Sequence, residues 1–255
     1  MNPPLILLYH GLARISHELD PSNLIVDPDR FREQIVLLKK RGYSFVTVSQ
    51  FVRRIAGKPP RKLCAITFDD GSSDNAHILR DLLEELDVPA TLYVCSELLG
   101  RRNPFLHEQA GIRLMDLREL QSVAAHPLFE IGAHTNKHTD LSRATPEEAY
   151  REMIESKATL EDQVDTPILT FAYPAGHYSP ACPAAAERAG YIAAVTCGEL
   201  GSWRPYELRR ELVHAYETAF SLELKTRGLY RPLLYSPPGH LARWITRPLR
   251  RALRG

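Results

Sequence analysis

Short apolar runs rich in β-branched and aromatic residues recur at 5–9, 44–48, 64–68, 90–95, 130–133, 169–173 and 192–196. They are strand-length and largely apolar throughout, the pattern of parallel strands covered by helices on both faces. Between them, apolar positions return every three to four residues over 31–41, 49–55, 75–86, 115–125, 146–163 and 179–189, the period of amphipathic helices. The fifth of these has a marked start, with Thr145 as N-cap, Pro146 at the first helical position and Glu147 and Glu148 in the first turn. Strand–helix alternation without an internal repeat or linker predicts one α/β domain, either a barrel or a doubly wound sheet. A chain of 255 residues is a usual length for a single α/β barrel.

Composition narrows the classes further. Hydrophobic residues at 44% and charged residues at 25% exclude a disordered or low-complexity chain. With 32 Lys and Arg against 31 Asp and Glu, no global field points to nucleic acid. The charge is uneven, however: after Glu223 there are eight basic residues and no acidic one. A domain over 1–219 with a basic extension over 220–255 is therefore expected. Cys64, Cys95, Cys182 and Cys197 form no CxxC pair and read as reduced thiols. The apolar run after Pro4 is four residues long with no charged region before it, which predicts a buried strand and a soluble, cytoplasmic protein.

In parallel α/β proteins chemistry collects at the carboxyl ends of strands. The third strand ends in Asp69-Asp70-Gly71. Adjacent carboxylates repel, so keeping both ionised at a partly buried position needs a cation or hydrogen-bond donors. The fifth strand runs into His134-Thr135-Asn136-Lys137-His138, two histidines four apart that a helical turn would bring to one face. One Asp with two His is a three-ligand set with open positions, the pattern of a catalytic metal site. The sixth strand ends in Tyr173-Pro174-Ala175-Gly176, a turn whose amides can approach a ligand, and the first ends at His10.

These segments together resemble the polysaccharide deacetylases of carbohydrate esterase family 4. Thr67-Phe68-Asp69-Asp70-Gly71 and His134-Thr135-Asn136-Lys137-His138 keep two family motifs intact, and the likeness runs from about residue 5 to residue 215. The resemblance implies a distorted (β/α) barrel of about seven parallel strands, a divalent metal and hydrolysis of N-acetyl groups on sugars. By it Asp69 is the general base, Asp70, His134 and His138 are metal ligands, and the Ala175 amide binds the oxyanion. Two motifs depart from the family. In the third motif Ala175 stands at the family's Tyr position, where its backbone amide can still donate. The Arg that orients the catalytic Asp is replaced by Ala172, and Arg210 is the candidate substitute. The late Leu-x-His motif has two matches, Leu212-Val213-His214 and Leu8-Tyr9-His10. The second resembles the circularly permuted arrangement of biofilm-polysaccharide deacetylases and makes His10 the general acid, donating as imidazolium.

The expected activity is metal-dependent N-deacetylation of a saccharide or glycan precursor, with zinc first and cobalt, nickel or iron as alternatives. Two rivals stand beside it: a glycoside hydrolase using Asp69 and Asp70, and a degenerate barrel that only binds glycans. Adjacent carboxylates disfavour the first, because glycosidase pairs flank a bond at about 5 Å or more. The tail over 241–255, with Trp244 and five arginines, reads either as a terminal helix packed on the barrel or as a peripheral anchor at the inner membrane face.

Overall fold

The computed structural model describes residues 4–55, 62–198, 201–227 and 229. Its elements in chain order are β1 (Leu5–Tyr9), β2 (Gly11–Leu12), β3 (Ile25–Val26), α1 (Pro28–Lys40), β4 (Ser44–Val46), α2 (Val48–Ile55), β5 (Leu63–Phe68), α3 (Ile78–Leu86), β6 (Ala90–Val94), α4 (Leu117–Ala124), β7 (Phe129–Ala133), α5 (Pro146–Val164), β8 (Thr170–Ala172), α6 (Cys182–Arg188), β9 (Ala193–Val195), β10 (Glu211–Leu212) and α7 (Ala219–Thr226). Seven strands lie in the order β10-β1-β5-β6-β7-β8-β9, all parallel, with β4 alongside the first half of β5. Leu208 bridges Val195 of β9, and three residues on, Glu211 and Leu212 pair with Leu7 and Leu8 of β1. The segment 208–212 thus links the last strand to the first and curls the sheet into a distorted barrel.

Side chains alternate across this sheet. Leu7, Tyr9, Ile66, Phe68, Leu92 and Val94 face outward into the large core shared with the surrounding helices. Their neighbours Ile6, Ala65, Tyr93, Ala172 and Val195 form a smaller cluster about the barrel axis, which α2 joins through Val48 and Phe51. The inner face departs from the expected apolar character. Thr67, Thr91, Glu130, Gly132 and Thr170 share it by alternation, because a narrow axis admits small or hydrogen-bonded groups.

Local chemistry explains the boundaries. A capping box between Thr145 and Glu148 opens α5, as the sequence pattern predicts. The helix expected over 75–86 begins instead at Ile78, after a separate 3₁₀ turn at Ser73–Ala76. The Asp74 carboxylate pins that turn by accepting from the Leu12 amide and from the side chains of Ser72 and Asn75. Helix α7 straddles the expected boundary at 219 and docks on the barrel, where the Tyr43 hydroxyl donates to the Thr226 carbonyl. The expected helix over 241–255 lies outside the described residues. Among the described residues no helix is long and apolar enough to cross a membrane.

Candidate active site

The site is built at the carboxyl end of β5. The Asp69 amide donates to the Tyr9 carbonyl at 3.0 Å, extending the β1–β5 ladder by one residue and continuing the inward alternation after Thr67. The chain then turns through two left-handed residues, Asp70 at φ 70° and Gly71 at φ 77°. Glycine suits the second because a side chain there would also press on Val94, and an Asp tolerates the first. This turn sends two adjacent carboxylates to different partners.

Asp69 meets Arg210. Nη1 and Nη2 donate to Oδ1 and Oδ2 at 2.6 and 2.7 Å, and both side chains are buried. Arg210 is held in turn by Nε donating to the Thr196 carbonyl at 2.9 Å and by Nη1 donating to the Thr67 hydroxyl at 3.1 Å. Burial alone would raise the Asp69 carboxyl; Arg210, then His134, outweigh it and hold the group below the ordinary carboxylate range.

Asp70 meets the two histidines. Its Oδ1 lies 3.6 Å from His134 Nε2 and 3.7 Å from His138 Nε2, and it is buried with no hydrogen-bond partner among the described residues. The histidines converge through an irregular turn, with Thr135 and His138 both at φ 60°, not through the helical turn expected from their spacing. His134 presents Nδ1 to the Ala172 carbonyl at 2.8 Å, which requires a proton on Nδ1 and leaves the Nε2 lone pair aimed at Asp70. Burial lowers the His134 ring to about 3, so it is neutral and able to ligate. Burial, with Asp69 beside it, pushes Asp70 well above its ordinary value. Separations of 3.6–3.7 Å are too long for hydrogen bonds and close to the ~3.4 Å edge of a tetrahedral zinc shell. The orphaned carboxylate oxygen and the two imidazole Nε2 atoms beside it therefore fit a divalent cation.

His10, at the end of β1, joins the same cluster: the charges acting on its ring are Asp69, Arg210, His138 and His214. Burial lowers it to about 4, opposed first by Asp69, so at neutral pH the resting ring is neutral. His214 stacks on Tyr216 and is acted on by Lys225, Glu217 and Asp20. Ala175 lies on the turn following β8, exposed and left-handed at φ 53°. The neighbouring Gly176 anchors that turn, since a Cβ there would fall 2.4 Å from the Cys197 Cβ. One site residue carried no sequence signal. Phe105, from the irregular stretch between β6 and α4, packs its ring 4.6 Å from that of His138.

The polysaccharide deacetylase family model matches residues 56–194. YxkH of Bacillus subtilis, which carries a polysaccharide deacetylase name, is 27% identical over 193 residues, covering 75% of this chain and 63% of YxkH. The peptidoglycan-N-acetylglucosamine deacetylase of Bacillus cereus is 32% identical over 131 residues, covering 51% of this chain and 54% of that enzyme. The chain thus spans between half and two thirds of the length of these relatives. Among solved structures, the Streptococcus pyogenes deacetylase PplD in complex with acetate superposes with a TM-score of 0.73 at 26% identity, covering 89% of this chain and 98% of PplD.

Proposed function

The chain belongs to the polysaccharide deacetylase family, and from that premise we propose that it hydrolyses the N-acetyl group of an N-acetylglucosamine-type unit in a glycan, using one divalent ion, zinc first. The observation that carries the reading is the buried, unpartnered Asp70 Oδ1 between two imidazole Nε2 atoms, next to an Asp69 held ionised by Arg210. When bound at Asp70, His134 and His138, the ion supplies Lewis acidity to the amide carbonyl and to the attacking water.

The chain's own residues do the rest. Asp69 receives the water's proton. Its Oδ2 is the oxygen nearer the ligands, 3.9 Å from His134 Nε2, and a carboxylate engaged by one arginine keeps a free lone pair on each oxygen. Arg210 keeps that carboxylate ionised and aimed. The Ala175 amide donates to the carbonyl oxygen as negative charge develops there. His10 rests neutral, takes up the proton that Asp69 accepted and delivers it to the nitrogen as the C–N bond breaks, releasing acetate and a free amine. Arg210 also removes the observation behind the degenerate-barrel reading, since a guanidinium does engage Asp69. The test is acetate release from N-acetylglucosamine oligomers by protein loaded with zinc, cobalt or nickel in turn. Acetate released without new reducing ends supports the reading. Full metal occupancy with no acetate from any such glycan would overturn it.

A further inference from the structure

The hydrogen bonds of Arg210 lie along the edge of its guanidinium plane and leave the faces to other contacts. Its Cζ lies over the Tyr93 ring, 5.4 Å from the ring centroid. Tyr93 is fully buried on the inner face of β6 and is among the largest side chains about the barrel axis. It fits because its cross-strand partner on β7 is Gly132. A Cβ on Gly132 would lie 2.4 and 2.5 Å from two Tyr93 ring carbons and 3.1 Å from the Thr170 carbonyl oxygen. Gly132 sits within a regular strand and is not among the positive-φ glycines. The glycine therefore provides room and answers no conformational need.

The need for such a floor follows from how Arg210 arrives. It is itself the residue before β10, a strand of only two residues, and reaches the barrel interior from there. So short a ladder does little to orient the long side chain, whose freedom is removed instead by its hydrogen bonds to Asp69, Thr196 and Thr67 and by what lies beneath its Cζ. A buried aromatic face attracts a desolvated guanidinium more strongly than an exposed one does.

We propose that Tyr93, given its space by Gly132, is a positioning residue: it sets the depth of Arg210 in the barrel and through it the orientation of the Asp69 carboxylate. The catalytic half of this inference rests on Asp69 being the proton acceptor; the structural half does not.

Two readouts test it, on the full chain. In the metal-free protein, the Nε–H proton of Arg210, assigned by its loss in Arg210→Lys, should be shifted by the Tyr93 ring and exchange slowly with solvent. Tyr93→Phe keeps the face and should keep both properties; Tyr93→Leu should lose the ring shift and exchange at least roughly tenfold faster. In the metal-loaded enzyme, Tyr93→Leu should lower kcat roughly fivefold to thirtyfold with KM and metal content unchanged, while Tyr93→Phe stays within about twofold. Gly132→Ala should resemble Tyr93→Leu, and in the double variant the two effects should not add, because the smaller side chain leaves room for the methyl. A Tyr93→Leu protein indistinguishable from Tyr93→Phe in the Arg210 signal overturns the proposal, whether or not Gly132→Ala folds. An unchanged kcat beside a perturbed signal overturns its catalytic half. Absence of acetate release by the wild-type enzyme is instead a failure of the functional reading, and the Arg210 signal still decides the positioning.

Discussion

At the amino end of the barrel, Glu130 Oε1 accepts from the Ser49 amide at 3.2 Å, the Thr91 hydroxyl at 3.2 Å and the Thr170 hydroxyl at 3.4 Å. At the carboxyl end, Asp70 Oδ1 is buried with no donor and lies 3.6 and 3.7 Å from the Nε2 atoms of His134 and His138. Both carboxylates lie toward the barrel axis, yet one is a clasp joining α2, β6, β7 and β8, and the other is left uncompensated. A buried polar group without partners costs free energy unless something outside the chain satisfies it. The difference between the two ends separates a carboxylate satisfied by the fold from one that, on the proposed reading, awaits a ligand. Asp69 falls between them, neutralised by an arginine but with lone pairs to spare.

The largest effect expected from breaking this contrast is at the ligands. His138→Ala and Asp70→Asn should both reduce metal content and acetate release to background. Metal-free Asp70→Asn should be at least as stable as the metal-free wild type, since it removes an uncompensated buried acid; a marked loss of its melting temperature would show that Asp70, like Glu130, holds the fold together. Asp69→Asn should keep the metal and lose roughly 10²-fold or more in turnover, the usual cost of a missing general base. Loss of the ion in that variant would exchange the roles of the two carboxylates.

The two candidate acids come next. His10→Ala should cost roughly 10²-fold in kcat, and His214→Ala far less, because Asp69 and Arg210 act on the His10 ring whereas Lys225, Glu217 and Asp20 act on that of His214. The reverse ranking would place the proton donor on the 208–214 segment. At the other end of the barrel, Glu130→Leu should lower stability by about 1–3 kcal/mol in a denaturant titration, by stranding the Ser49 amide and two threonine hydroxyls, and leave metal content intact. A metal-depleted but stable Glu130→Leu would erase the distinction between the two ends.

The smallest effect concerns Asp74, which is buried and hydrogen-bonded at once. Burial raises it to about 6 despite its donors, so the folded state holds its proton more tightly than the unfolded chain, whose value is near 3.8. Its contribution to stability is therefore present below about pH 4, declines as pH rises to about 6, and is absent above that. Relative to wild type, Asp74→Asn should flatten the pH dependence of unfolding over this window by at most about 3 kcal/mol. An identical pH profile in the two proteins would show that the donors outweigh burial.

The parallel strands, most helices and the residues at strand ends were legible in the chain itself. Apolar runs and helical periods report burial locally, and Asp69, Asp70, His134 and His138 stand directly after such runs. The family resemblance supplied their expected roles. Other features depended on contacts between segments far apart. Apolar periodicity left a barrel and an open sheet both possible and the family resemblance favoured the barrel; the closure itself rests on Leu208, Glu211 and Leu212 joining β9 to β1, pairings too short to show a period. Arg210 was a candidate only because the family arginine was absent, and its bond to Asp69 spans 141 residues of sequence. Phe105 reached His138 from an irregular loop with no pattern to read. The small and polar inner face, and Gly132 yielding space to Tyr93, depended on which neighbours the closed barrel brings within a few ångströms. Local sequence can encode which residues avoid water and where strands end; which side chains meet across the axis is decided only when the sheet closes, because those contacts are set by register and curvature.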